Sequence, residues 1–382
     1  LQVSHDALDL RALLSVVESS VAWWQRRLDT GSQVTREQAA AAISDLSRIL
    51  ESLSQQLAQG RETVRITTRL PRVRAYALGC PACGRGNRAG ARYCQSCGTL
   101  LPDPATPRSA HQAAPTVRLQ TAACSDTGQE RTQNEDTCYA GTLPLPGAAP
   151  AALLLVADGM GGMQAGDEAS RLASETARHW LTEHLAAQCP THDAGWHDLL
   201  RDTVREANRR VYEQATHRGH QGEMGTTLTL LLVVGQHAHL AHVGDSRAYL
   251  LNRDGVTEDG ATWMQMTSDH SLVARLVDIG QLTPAEAQAH PQRNILYRAL
   301  GTHPAIEVDT LSQPLQRGDR LLLCSDGLIV HLADADLARL TLEPRSADDI
   351  CNRLIAAANQ RGGTDNISVV LALVEGIEHA HL

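Results

Sequence analysis

The chain has 382 residues, 42% hydrophobic and 20% charged, with a formal net charge of −9 at pH 7. That length leaves room for two or three domains, and the acidic balance argues against nucleic acid as the main partner of the whole chain. All 34 basic residues are Arg, so a Schiff-base lysine and a Walker-type P-loop are excluded.

No apolar run reaches the ~18 residues of a membrane span. The opening residues carry no cleavable-signal pattern, and Leu1 is not a natural initiator. Of the nine cysteines, four cluster as two pairs and the rest are scattered. That usage suits a reducing cytosol with one metal site, and so a cytoplasmic protein, better than a disulfide framework.

Residues 1–60 read as an amphipathic helical hairpin. Leu8, Leu10, Leu13, Leu14, Val17, Val21 and Trp24 recur at roughly helical spacing. Asp29-Thr30-Gly31-Ser32 breaks the pattern, and Thr35 with Gln38 resembles a capping box opening a second helix. Ala39, Ile43, Leu46, Leu50, Leu53 and Leu57 form the apolar face of that helix. Such a hairpin cannot bury much alone; it packs on the next domain, or it serves self-association or a partner.

Residues 61–100 read as a zinc ribbon with a basic flank. Residues 61–92 hold eight Arg and one acidic residue, Glu62. Cys80 and Cys83, then Cys94 and Cys97, form two C-x2-C pairs. Four thiolates at tetrahedral spacing suit one structural Zn2+ and leave no open position for catalysis. The arginines could meet RNA or DNA, but such a run is more often a solvated face. Residues 101–117, with Pro102, Pro104, Pro107 and Pro115, read as an extended linker.

Residues 118–376 read as one α+β domain with sheets inside and helices outside. Strands are expected at 118–125, 138–141, 151–158, 226–234, 237–243, 248–252, 320–324 and 367–374. Helices are expected at 167–184, 196–217, 271–279, 284–290 and 346–359. The uncharged run from Ala151 to Ala157 reads as a buried strand that ends abruptly at Asp158 and the glycines after it. An Asp-Gly pair after a strand is usually only a turn.

The pattern recurs, however. Asn134-Glu135-Asp136, Asp158-Gly159, Gly244-Asp245-Ser246-Arg247, Ser325-Asp326-Gly327 and Gly363-Thr364-Asp365-Asn366 each put a carboxylate at an expected strand end. Converging carboxylates repel one another unless a cation binds among them. Hard oxygen donors without His or Cys select Mg2+, Mn2+ or Ca2+. Two such ions about 4 Å apart would turn a water between them into a hydroxide nucleophile, most often for phosphate-ester hydrolysis. Arg131 could grip the phosphoryl oxygens bidentately; alone it would read as a surface salt bridge. Cys324, in an apolar run, reads as an inert buried thiol.

These motifs, with Asp158-Gly159-Met160-Gly161-Gly162, Gly225-Thr226-Thr227, Asp269-His270-Ser271 and the Arg131-x-x-Asn134 spacing, resemble the metal-dependent Ser/Thr protein phosphatases of type 2C. They occur in that family's order across 118–376. Met160 after Asp158-Gly159 is similar to the bacterial branch. The resemblance implies a four-layer αββα sandwich with a binuclear Mn2+ or Mg2+ site. It implies Asp158 as bridging ligand, Asp326 and Asp365 on one ion, and Glu135 or Asp136 with the Gly159 carbonyl on the other. Asp245, with Asp326, would hold a weaker third ion. Arg131 would bind phosphate, and residues 268–301 would form a mobile flap beside the site. Met160 stands where animal members place a proposed general-acid His, and neither His242 nor His270 is assigned that role.

The resulting expectation is a cytosolic phosphatase acting on phosphoserine and phosphothreonine. Its substrates would include a partner Ser/Thr kinase and that kinase's targets. Two rivals are a degenerate, non-catalytic scaffold and a zinc ribbon that binds nucleic acid to control the phosphatase. Every expected carboxylate is present, which speaks against the scaffold.

Overall fold

The computed structural model describes residues 116–161, 165–219, 224–257 and 260–378, with 4–9, 36–58, 63–68 and the positions 14, 17–18, 21–22, 25, 78–79, 86–87 and 101. The chain divides into two compact units. One comprises residues 1–70 and 270–297; the other comprises 71–269 and 298–382.

In the larger unit two antiparallel sheets lie face to face. The first holds β6 (Asp136–Leu143), β7 (Ala151–Met160), β9 (Leu228–Val234), β10 (His237–Val243) and β13 (Asp309–Pro314), in the order β13-β10-β9-β7-β6. Two-residue β8 (Gly225–Thr226) pairs with the far end of β7. The second sheet runs β12-β11-β14-β15-β5, from β5 (Thr116–Asp126), β11 (Arg247–Leu251), β12 (Trp263–Gln265), β14 (Arg320–Cys324) and β15 (Ile367–Glu378).

Side chains alternate between faces along a strand, and β7 shows what this does. Leu153, Leu155 and Ala157 pack under helices α2 (Ala165–Ala187) and α3 (Asp193–Arg218). Ala152, Leu154 and Val156 face the second sheet, meeting Leu321, Leu323, Val370 and Ala372. The outer face of the second sheet is covered by α6 (Asp326–Ile329), α7 (Asp334–Thr341) and α8 (Ala347–Gln360). A strand buried on both faces needs no polar alternation, which is why β7 reads as one unbroken apolar run.

In the smaller unit β1 (Ser4–Asp9) pairs antiparallel with β2 (Thr63–Thr68). This corrects the helical reading of the first residues: Leu8 lies on a strand. It also carries pairing across the expected boundary at residue 60. Helix α1 (Arg36–Ala58) is present, with Leu46 and Leu53 fully buried. The insert at 270–297 carries α4 (Leu272–Asp278) and α5 (Pro284–Ala289), capped by Ser271 and Thr283. Thr35, Cys80, Cys83, Cys94, Cys97 and most of 101–117 lie outside the described residues. Among the described residues no helix is long and apolar enough to cross a membrane.

Candidate metal centre

At one end of the sandwich the face between the sheets changes from apolar to polar. On β7 the series Ala152, Leu154, Val156 continues to Asp158. On β14 the series Leu321, Leu323 continues to Ser325, and on β15 the series Ala372, Val370 continues backward to Ser368. Asp136 lies directly opposite Asp158 in the β6–β7 register. Period-2 alternation therefore turns these residues to one side at one end of the core.

Hydrogen bonds fix the arrangement. Ser325 Oγ donates to Asp136 Oδ2 at 2.7 Å and accepts the Ser368 N–H at 2.9 Å. Ser368 Oγ shares a 2.8 Å bond with Ser125 Oγ. Thr227 Oγ1 accepts the Asp158 N–H at 2.9 Å and shares a 2.8 Å bond with Ser246 Oγ. Thr226 Oγ1 and the Thr227 N–H both donate to the Asp158 carbonyl. Contrary to the sequence expectation, β7 does not turn at Asp158. It runs on through Gly159 to Met160, held by β8, and the left-handed residue is Gly161, at φ 138°. Gly159 serves close approach: a Cβ there would overlap the carbonyl oxygens of Gly166 and Glu135.

Asp365 and Arg131 meet at the rim, with Arg131 Nη2 donating to Asp365 Oδ2 at 2.7 Å. Asn366 ties the Arg131 loop to β15. Its Oδ1 accepts the Glu135 N–H at 2.8 Å, and its Nδ2 donates to the carbonyls of Thr127 and Gln133, each at 2.9 Å. Gly327 lets the Asp326 turn pass Asn366, where a Cβ would overlap the Asn366 carbonyl.

The electrostatics follow from this crowding. Burial, then the neighbouring charges Asp326 and Asp365, push Asp136 up to about 7, against the pull of its serine partners. Burial raises Asp158 well above the usual carboxylate range, and Asp136, Asp326, Asp245 and Asp365 add to it. Asp245 moves the same way through burial, then Asp326 and Asp269. Glu135 is raised by burial, with Arg131 opposing. Asp136 Oδ1 is buried without a hydrogen-bond partner. Carboxylates that repel one another, with an orphaned buried oxygen, fit a hard divalent cation. Among the described residues no group of three or more acidic, imidazole or thiolate side chains is already gathered closely enough to hold a metal ion.

The nearby histidine and cysteine belong to the framework. His242 is fully buried, pairs through Nδ1 with Thr229 Oγ1 at 2.9 Å and through Nε2 with Ser268 O at 3.1 Å. Burial lowers its pKa. Burial pushes the Cys324 thiol up to about 12, as an inert thiol requires. The sequence reading gave no role to Ser325, Ser368, Thr227 or His331. His331 Nε2 accepts the Thr364 N–H at 2.9 Å beside Asp365. No signal pointed to it, since it lies 33 residues away in sequence. The serines could have been found by extending each strand's alternation one step past its last apolar residue.

A family model described as "Protein phosphatase 2C" matches residues 129–372. The chain belongs to that family, and it is a metal-dependent serine/threonine protein phosphatase. It is 36% identical over 247 residues to the serine/threonine phosphatase Stp of Listeria innocua, covering 65% of this chain and 92% of that protein. It is 39% identical over 260 residues to the serine/threonine protein phosphatase PstP of Mycobacterium tuberculosis, covering 67% of this chain and 45% of that protein. The S. agalactiae serine/threonine phosphatase structure superposes with a TM-score of 0.60 at 34% identity, over 68% of this chain and 100% of that one. The PstP catalytic domain in complex with 2 manganese ions gives a TM-score of 0.56 at 36% identity, over 68% of this chain and 100% of that one.

Proposed function

We propose that the carboxylate cluster holds Mn2+ or Mg2+ for hydrolysis of phosphoserine and phosphothreonine, in opposition to bacterial Ser/Thr kinases. The observation that carries this reading is the Asp136–Asp158 pair: two carboxylates opposed in register, both raised in pKa, one with an orphaned oxygen. In this reading Asp158, Asp326, Asp365, Asp136 or Glu135, and the Gly159 carbonyl would hold two ions, and Asp245 with Asp326 would hold a weaker third. Glu135, whose carboxyl lies against Gly166 and interacts with Arg131 and Asp365, is the alternative to Asp136 as a ligand. Bound divalent cations supply charge neutralisation at the phosphoryl group and a lowered pKa for water.

Arg131 grips the ester's phosphoryl oxygens from the rim, and Asp365 keeps its guanidinium aimed there. The Asn366 clasp holds the Arg131 loop in register with Asp365. His242 stays neutral and engaged, so the proton for the leaving Ser or Thr oxygen does not come from it.

For residues 61–100 we retain one structural Zn2+ on Cys80, Cys83, Cys94 and Cys97. Supporting it, β3 (Leu78–Gly79) pairs antiparallel with β4 (Gly86–Asn87), two strands that flank the first C-x2-C pair in the sequence. The phosphatase reading is tested with Mn2+ and a phenyl phosphate ester. Wild type must outpace Asp158→Asn and Asp326→Asn; equal rates end it.

A further inference from the structure

The insert between Asp269 and Arg298 has an apolar face that its own short helices cannot bury. Helix α4 is only seven residues long, too short to persist without packing. Its Leu272 and Leu276, four apart on one face, are fully buried. They form one cluster with Leu46 and Leu53 of α1 and with Val17. Leu46 and Leu53 stand two helical turns apart and so present one stripe. Ser52 Oγ adds a 3.2 Å hydrogen bond to Gln281 Oε1 just beyond α4. A segment more than 200 residues away in sequence thus completes the insert's core.

Both roots of the insert join residues beside the carboxylates. On the first, Ser268 O pairs with His242 Nε2, and Asp269 takes a bidentate grip from Arg247 at 2.7–3.0 Å. His242 and Arg247 flank Asp245. On the second, Leu300 exchanges two backbone hydrogen bonds with Thr226, and Thr226 Oγ1 donates to the Asp158 carbonyl at 2.9 Å. A phosphoprotein is larger than the carboxylate cluster, and the insert is the segment that leaves and re-enters the sandwich at these two points.

We infer that α1 is the docking partner of the insert and sets its posture for phosphoprotein recognition. The inference rests on the phosphatase reading for its kinetic consequence only. Docking holds the insert in one arrangement; undocking divides its population among several. Apparent affinity for a ligand that needs the docked arrangement then falls with the docked fraction.

The test uses the full chain carrying Leu46→Asp with Leu53→Asp, and separately Leu276→Asp. Hydrogen–deuterium exchange over residues 272–282 should accelerate in both. If the docked fraction falls to about one tenth, KM for a phosphothreonine protein should rise about tenfold. With the reacting centre untouched, kcat/KM for p-nitrophenyl phosphate should stay within about twofold. Leu53→Met should match wild type in every measure. Unchanged exchange overturns the docking, and equal losses on both substrates overturn the division of labour. A wild type inactive on both substrates would sink the phosphatase reading instead, and exchange would still decide the docking.

Discussion

Ser325 donates its hydroxyl to Asp136 across the gap between the two sheets, at 2.7 Å. The same oxygen accepts the Ser368 N–H, so one buried hydroxyl orients a carboxylate and pins the start of β15. Ser325→Ala removes that hydroxyl from both partners. The expected loss is about 1–3 kcal/mol of stability, read by denaturant unfolding. Mn2+ affinity should fall about 10- to 100-fold, as when a ligand's outer partner is removed. A calorimetric titration matching wild type would remove Asp136 from the ligand set.

The metal-free protein should lose stability as pH rises. Asp136 titrates at about 7 in the folded chain against 3.8 for an unperturbed group. The folded state therefore holds protons that the unfolded state has released. This stabilisation is complete below the unfolded value and is lost as pH climbs through 7. With chelator present, the melting temperature should fall by several degrees, on the order of 5 °C, between pH 5 and 7.5. Saturating Mn2+ should raise the melting temperature at pH 7.5 most, since cation binding competes with the same protons. A chelated protein that becomes more stable over this interval contradicts the electrostatic account.

Asp158→Asn should separate activity from stability. Activity on a phenyl phosphate ester should drop by about a thousandfold or more, as for loss of a central electrostatic group. The chelated variant should melt above chelated wild type, because an amide sits among the buried carboxylates without having to take up a proton on folding. A variant that loses stability without metal would mean that Asp158 is held by something other than repulsion.

Arg131→Ala removes a charge-assisted contact worth about 1.5–3 kcal/mol. On that scale kcat/KM should fall about 10- to 150-fold. Arg131→Lys should recover little of it, because a point charge cannot reproduce a planar fork. Full rescue by Lys would reduce Arg131 to a partner of Asp365.

Gly159→Ala places a methyl group on the carbonyls of Gly166 and Glu135, which belong to backbone and cannot swing aside. The cost should be about 1–3 kcal/mol, as for other overpacked sites, measured by thermal unfolding. An unaltered melting temperature would show that α2 can retreat from β7.

Much of the site was legible because its carboxylates sit where apolar runs stop. Asp136 opens β6, Asp158 lies two residues before the end of β7, and Asp326 and Asp365 lie two residues outside β14 and β15. The strands at 237–243 and 320–324 have the bounds that their apolar runs imply. Strands β12 and β13 left little trace, since edge strands with mixed burial lose the alternation signal. The helix at Asp326–Ile329 is a single turn, too short for periodicity to register. Leu8 misled because its neighbours repeat at spacings that a helix shares, while its actual partner, Val64, is distant in sequence. The serines and Asn366 act by cross-chain hydrogen bonds, and pairings of that range have no local signature.

Strand β15 pairs with β5 from Ile367–Asp126 onward, so the first and last strands of the catalytic sandwich lie side by side. Asp365 and the Asn366 clasp reach the site only through that closure. During synthesis the ribosome must release β15 before Asp365 can join Asp136 and Asp158. On the proposed ligand set, the nascent chain therefore holds an incomplete carboxylate cluster until the sandwich is closed.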